Sequence, residues 1–165
     1  MSSTFKDYFS LFALPVQYRI DREDLKRRFE TLIAKTHPDR FATATEVEKR
    51  IAVQVTEMIN AAYATLEDDF ERAVYMCQMK GMDPKARSVL DADFLEKQMT
   101  FFEAIEALSQ DSKAPERLAL QNEIDHEASC AKEAIAQNFA AGDDKGALYA
   151  TQALGFWLKL RAKLN

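Results

Sequence analysis

Glycine and proline are scarce in this sequence, four of each in 165 residues, and that scarcity excludes a fold built from many tight turns. Alanine, leucine, glutamate, lysine and glutamine fill most positions instead, which favours helix. Only two cysteines occur, Cys77 and Cys130, far apart and both in helical contexts. They form no disulfide framework, and a reducing compartment suits them. No apolar run approaches the length of a membrane span. The opening residues, MSSTFKDYFSLF, lack the basic start, long apolar stretch and small-residue cleavage site of a secretory leader. A cytoplasmic protein is expected. Positive charge is also in deficit: 22 Lys and Arg against 27 Asp and Glu give a net charge of −5 and a pI near 5.2. This balance argues against binding to nucleic acid or to an anionic membrane through overall charge, and leaves room for a local basic stripe that recruits an acidic partner.

What is present is helix, punctuated clearly. A short segment from Asp7 to Phe12 is stopped by Leu14-Pro15, because the residue before a proline is pushed out of helical geometry. Asp21, followed by Asp24, opens a second helix to about Thr36, with Leu25, Phe29, Leu32, Ile33 and Thr36 on one face. A third, from Thr45 to Leu66, repeats the pattern with Ile51, Val55, Met58, Ile59, Ala62 and Leu66. Both stripes read as core faces. A fourth helix carries Ala73, Val74, Met76 and Cys77 and stops near Lys80-Gly81. Residues 82–89, MDPKARSV, then read as a linker or hinge. Helical patterns follow over Asp91–Gln110, Ala114–Ala141 and Asp143–Leu164, the middle one with Pro115 in its first turn. Short connections between long amphipathic helices imply antiparallel neighbours, hence a three-helix bundle.

Between the second and third helices stands His37-Pro38-Asp39. Pro38 has no N–H to donate and disfavours helix at His37, so the tripeptide is presented in a loop held by packed helices. Such a loop has little freedom to lose on docking. Arg27, Arg28, Thr31 and Lys35 lie on the second helix away from its apolar stripe, and together they form a basic stripe that ends at this loop.

The short first helix, basic second helix, His37-Pro38-Asp39 and long third helix resemble the J-domain of Hsp70 co-chaperones. DYFSLFALP at 7–15, HPDRF at 37–41, INAAYATL at 59–66 and RAVYMCQMKG at 72–81 are similar to the HscB family, J-type co-chaperones of iron–sulfur cluster assembly. DADFLEKQM and LGFWLKL extend the resemblance over nearly the whole chain. The resemblance implies an all-α protein with a J-domain at 1–81, a linker at 82–89 and a C-terminal three-helix domain at 90–165. It also implies an Hsp70-type chaperone (HscA-like) and an iron–sulfur scaffold protein (IscU-like) as partners. Carried onto this chain, His37, Pro38 and Asp39 are the loop that stimulates the chaperone's ATPase. Arg27, Arg28 and Lys35 contact its acidic surface, with Lys26 and Arg40 in secondary positions.

On the helix from Asp91, Phe94, Phe101, Ile105 and Leu108 form one stripe for the bundle core, and Leu95, Met99 and Phe102 widen the apolar arc toward half the circumference. The extra arc either packs inside the protein or is an exposed patch with Glu103 and Glu106 on its border. Phe156 sits at the edge of the last helix's apolar arc beside Lys159, whereas Trp157 projects into its middle and reads as core. By resemblance, Leu95, Met99, Glu103 and Phe156 are the scaffold contacts. The chain departs from the family pattern at Glu96, Thr100 and Ala107.

Other functions find less support. No serine or cysteine nucleophile lies near His37 and Asp39 in sequence, and there is no glycine-rich phosphate loop or paired-acid motif, so no catalytic residue is expected. His126 and Cys130 share a helix face, but a structural zinc site needs two further ligands that no CxxC or HxxxH pair supplies. Neither metal nor cofactor is expected. A J-protein for another client, a helix-turn-helix nucleic-acid binder using Arg27, Arg28 and Lys35, and a metal-dependent enzyme are the remaining alternatives.

Overall fold

The computed structural model describes residues 5–108 and 114–165. Among these, the regular elements are seven α-helices and one 3-10 turn, with no strand: α1 (Tyr8–Leu11), α2 (Arg22–Thr36), the 3-10 turn (Pro38–Phe41), α3 (Glu46–Glu67), α4 (Asp69–Met79), α5 (Ala92–Ala107), α6 (Ala114–Ala141) and α7 (Asp144–Ala162). The chain divides into two compact units, Met1–Arg72 and Ala73–Asn165, so the division falls inside α4.

In the first unit each helix start carries the cap its sequence promises. Asp7 and Thr45 form capping boxes with Ser10 and Glu48, and the Asp21 carboxylate accepts from the N–H groups of Glu23 and Asp24. Helices α2 and α3 run antiparallel. Phe29 stacks on Tyr63 with ring centroids 4.1 Å apart, and seven residues along both helices the Thr56 hydroxyl donates to the Thr36 carbonyl at 3.2 Å. This register buries Leu25, Ile59, Ala62 and Leu66, with Phe9 and Phe12 from the first helix and its exit.

The same register corrects one expectation. Helix α3 is seven residues longer than α2 (22 against 15), and Thr56 already lies level with the α2 terminus. The N-terminal turns of α3 therefore run past α2, and Ile51, expected in the core stripe, is 47% exposed.

Buried Arg72 closes the unit's other end. Its guanidinium donates to the carbonyls of Tyr18 (2.7 Å) and Leu66 (2.5 Å) and to the Asp69 carboxylate (2.7 Å), and it lies over the Tyr18 ring.

The second unit is built around α7, which is buried on most sides through Ala147, Ala150, Thr151, Ala153, Leu154, Gly155, Trp157 and Leu160. Helix α6 packs most closely against it, presenting Leu120, Ile124, Ala128, Ala131 and Ile135 at spacings of three and four. Small alanines on both sides allow that approach. Helix α5 meets α7 through rings instead: Phe94 and Phe101 stand edge-on to Trp157 at 5.5 and 4.9 Å. It ends at Ala107, where Leu108 turns extended, and the remainder of the helix expected to Gln110 lies outside the described residues.

The 82–89 segment is bonded to this unit. Gln152 on α7 donates to the carbonyls of Pro84 and Arg87 and accepts from the N–H of Val89 at 2.8 Å. Lys80 reaches to 4.0 Å from Asp144, and Cys77 lies 3.6 Å from the Thr151 hydroxyl.

Candidate functional site

His37 ends α2. Its ψ of 131° breaks the helix before Pro38, and Pro38 then occupies the first position of the 3-10 turn, where its missing N–H costs nothing. The loop expected here is thus a single tight turn. The His37 Nδ1 accepts from the Asp39 N–H at 3.3 Å. Asp39 Oδ2 is 3.4 Å from the same nitrogen, a contact that is an ion pair only when the ring is protonated. The Asp39 side chain is 90% exposed. A stiff turn therefore presents an exposed carboxylate to solvent.

The basic stripe is organised by Asp24, which the sequence pattern assigns only to the start of α2. Asp24 accepts from both Arg27 and Arg28, the latter at 2.8 Å. The hydrogen bond from Arg28 holds the Asp24 carboxyl below its ordinary range, with a further contribution from Arg27. Arg28 also donates to the carbonyls of Phe12 and Ala13, so it ties α2 to the exit of α1. These residues line an open cleft of about 340 Å³ with Leu11, Thr31 and Leu32. The cations without a carboxylate are others: Lys26 and Lys35 are exposed with no ionic partner among the described residues, and Arg40 donates only to the Ala34 carbonyl at 2.8 Å. The acidic residue one turn before the arginine pair was the sequence signal for this arrangement.

In the second unit the extra apolar arc of α5 is surface. Leu95 is 52% exposed, Met99 63% and Phe102 38%, while Trp157, expected in the core, is 1% exposed. Phe156 is half-buried and meets Phe94 at 5.6 Å and Phe102 at 5.8 Å, so α5 and α7 contribute to one continuous surface. Glu103 is exposed on its border with no cation partner among the described residues. Pattern reading missed Lys163, whose ammonium lies 5.0 Å over the Phe102 ring. Glu96, Thr100 and Ala107 are all exposed on the same helix.

His126 and Cys130 are both exposed and 3.6 Å apart, and no group of three or more metal-ligating side chains occurs among the described residues. No helix among them is long and apolar enough to cross a membrane.

Relatives match this chain over most or all of its length. A chain described as a co-chaperone protein HscB homolog from Cupriavidus taiwanensis is 36% identical over 157 residues, spanning 93% of this chain and 89% of that relative. Its counterpart from Burkholderia thailandensis is 32% identical over 167 residues, spanning 100% of this chain and 95% of the other. The chain belongs to the HscB co-chaperone family. The family model described as the HSCB C-terminal oligomerisation domain matches residues 90–165 of this HscB-family chain. Among solved structures, the chaperone HscB from Vibrio cholerae superposes with a TM-score of 0.82 at 31% identity, covering 96% of this chain and 94% of that one. The human co-chaperone protein HscB, at 20% identity, shares the fold with a TM-score of 0.88, covering 99% and 82%. The helices α1–α3 and α5–α7 accordingly belong to the fold of an HscB-type co-chaperone.

Proposed function

We propose that this co-chaperone is a two-site adaptor that carries an iron–sulfur scaffold protein (IscU-like) to a specialised Hsp70 (HscA-like) and stimulates that chaperone's ATPase, so assisting cluster maturation and transfer. Residues 1–81 serve the chaperone and residues 90–165 the scaffold, with 82–89 between. The exposed Asp39 carboxylate on the proline-stiffened turn carries the reading, because it is free to enter a cation or amide network of the partner at little entropic cost.

His37 shapes the turn, Pro38 fixes its direction, and Lys26, Arg27, Lys35 and Arg40 meet an acidic chaperone surface. Arg28 contributes both charge and the anchor to α1. Docking accelerates hydrolysis only if these contacts are stronger in the hydrolysing conformation of the chaperone than in the resting one, and this protein adds no catalytic group of its own. On the other side, exposed Leu95 and Met99 with half-buried Phe156 form an apolar surface bordered by Glu103, suited to a scaffold face of matching shape and a cation at its rim. Both cysteines are free, which suits the reducing cytoplasm where we place the reaction.

The test is steady-state ATPase of the cognate Hsp70 with this protein and the scaffold, each alone and together, for wild type, Asp39→Ala and Met99→Ala. Synergy that disappears with Asp39→Ala and weakens with Met99→Ala supports the adaptor. Stimulation without any scaffold effect assigns the J-domain to another client, and no stimulation refutes the reading.

A further inference from the structure

The overhang of α3 leaves a second feature beside the His37-Pro38-Asp39 turn. Where α2 stops, a pocket of about 170 Å³ opens between Thr36, Phe41 and the α3 residues Glu48, Ile51, Ala52 and Val55. Its lining surface is almost wholly apolar. A cavity of about 150 Å³ suffices for a benzene ring, so this one takes a single branched aliphatic or aromatic side chain. Ile51 in the lining is 47% exposed, and Val47, one turn earlier on the same helix face, is 65% exposed. The one acidic residue in the lining is already engaged, since the Glu48 carboxylate accepts from the N–H and hydroxyl of Thr45, each at 2.8 Å.

The charge around the pocket defines what enters it. Glu46 is paired with Lys49 at 3.0 Å and Glu48 is held in its capping box, whereas Lys35 and Arg50 are exposed without an ionic partner among the described residues and Arg40 reaches only a backbone carbonyl. Lys35, Arg40 and Arg50 are each the sequence neighbour of a lining residue, Thr36, Phe41 and Ile51, and an apolar hole with uncommitted cations on adjoining positions complements an aliphatic side chain flanked by carboxylates. Phe41, one wall of the pocket, ends the 3-10 turn that carries Asp39, so a chain contacting the Asp39 carboxylate is within a few residues of the opening.

We propose that this pocket is an apolar anchor point for the Hsp70-type partner, taking one aliphatic side chain from an acidic segment next to the site that engages Asp39. The inference rests on the adaptor reading. It assigns distinct tasks to neighbouring residues: Asp39 acts on the rate of hydrolysis, and the Ile51 pocket sets how tightly the chaperone is held.

Single-turnover ATPase of the purified, ATP-loaded HscA-type chaperone, titrated with wild type, Ile51→Asp, Ile51→Ala, Ile51→Leu and Asp39→Ala, separates the half-saturating concentration from the maximal rate. Ile51→Asp is expected to raise the half-saturating concentration tenfold or more, an order of magnitude set by burying one aliphatic side chain, with the maximal rate preserved. Ile51→Ala shifts it about threefold, Ile51→Leu restores the wild-type value, and the ratios persist at high salt because the contact is apolar. Asp39→Ala loses the maximal rate. If Ile51→Asp and Ile51→Ala titrate like wild type while Asp39→Ala is inactive, the pocket proposal is overturned and the adaptor reading stands. Loss of maximal rate in Ile51→Ala without a shift in half-saturation also overturns it, as that is a distorted turn and not a lost contact. A wild type that does not stimulate removes both.

Discussion

Arg28 Nη1 donates to the carbonyl of Phe12 at 3.0 Å, and from there to Ala13 at 3.1 Å, so a residue of the basic stripe also closes the C-terminus of α1. Replacing Arg28 with alanine removes these bonds together with the link to Asp24. A stability loss of about 1–2 kcal/mol is expected in urea unfolding, because charge-assisted hydrogen bonds are lost at a partly exposed site. Arg27→Ala should change stability little, since its side chain is 76% exposed. A defect in chaperone binding by Arg27→Ala is thus a defect of the surface itself, whereas the same defect in Arg28→Ala mixes surface with fold.

Ala13 itself adopts φ +53°, the left-handed region where a side chain is unfavourable. Ala13→Gly removes that penalty, offset in part by the freedom glycine gains in the unfolded chain. A net stabilisation of about 0.5–1 kcal/mol is expected, and a lower urea midpoint would contradict it.

Arg72 holds three acceptors while 4% exposed. Arg72→Met keeps most of the volume but leaves the Tyr18 and Leu66 carbonyls unpaired, and a loss of about 3 kcal/mol is expected for the J-domain. Circular dichroism melting of this variant should show an early transition of that unit.

Acid should weaken the J-domain through two carboxylates. The Arg28 hydrogen bond lowers Asp24, and the backbone N–H of Thr45, then its hydroxyl, lower Glu48. Folded-state values below the unfolded ones add stability that is complete above the ordinary values of 3.8 and 4.5 and is lost as pH falls through the lower folded values. Asp24→Asn should flatten the acid limb of a stability-against-pH curve, and an unchanged limb would remove Asp24 from this role.

The sole tryptophan, Trp157, is enclosed by Phe94, Phe101 and Phe156, so its emission reports on the C-terminal unit. Asp39→Ala should leave that emission unchanged, and Phe101→Ala should shift it to the red by admitting water. Trp157→Ala is expected to cost about 3–5 kcal/mol, the usual range for emptying a large aromatic site.

The sequence by itself determined the helices and most of their ends, α5 excepted, which stops at Ala107. Pro38 had to end α2 at Thr36, because the ring excludes helical geometry from His37, and Asp7, Asp21, Thr45 and Asp91 are caps whose side chains bond locally. The periodic burial of Leu25, Ile59 and Leu66 was legible for the same reason: it depends on residues three and four apart. Only the tertiary structure decided which apolar positions are left over. Ile51 shares the period of Ile59 yet lies beyond the end of α2, and Leu95 and Met99 continue the arc of Phe94 yet find no cover. A helical period states which way a side chain points, whereas helix length and register decide whether anything stands opposite it. Charge divides likewise. The sequence placed Arg27, Arg28 and Lys35 on one stripe, but the folded chain commits the arginines to Asp24 and leaves Lys35 open, because a guanidinium's partner depends on side-chain reach in three dimensions.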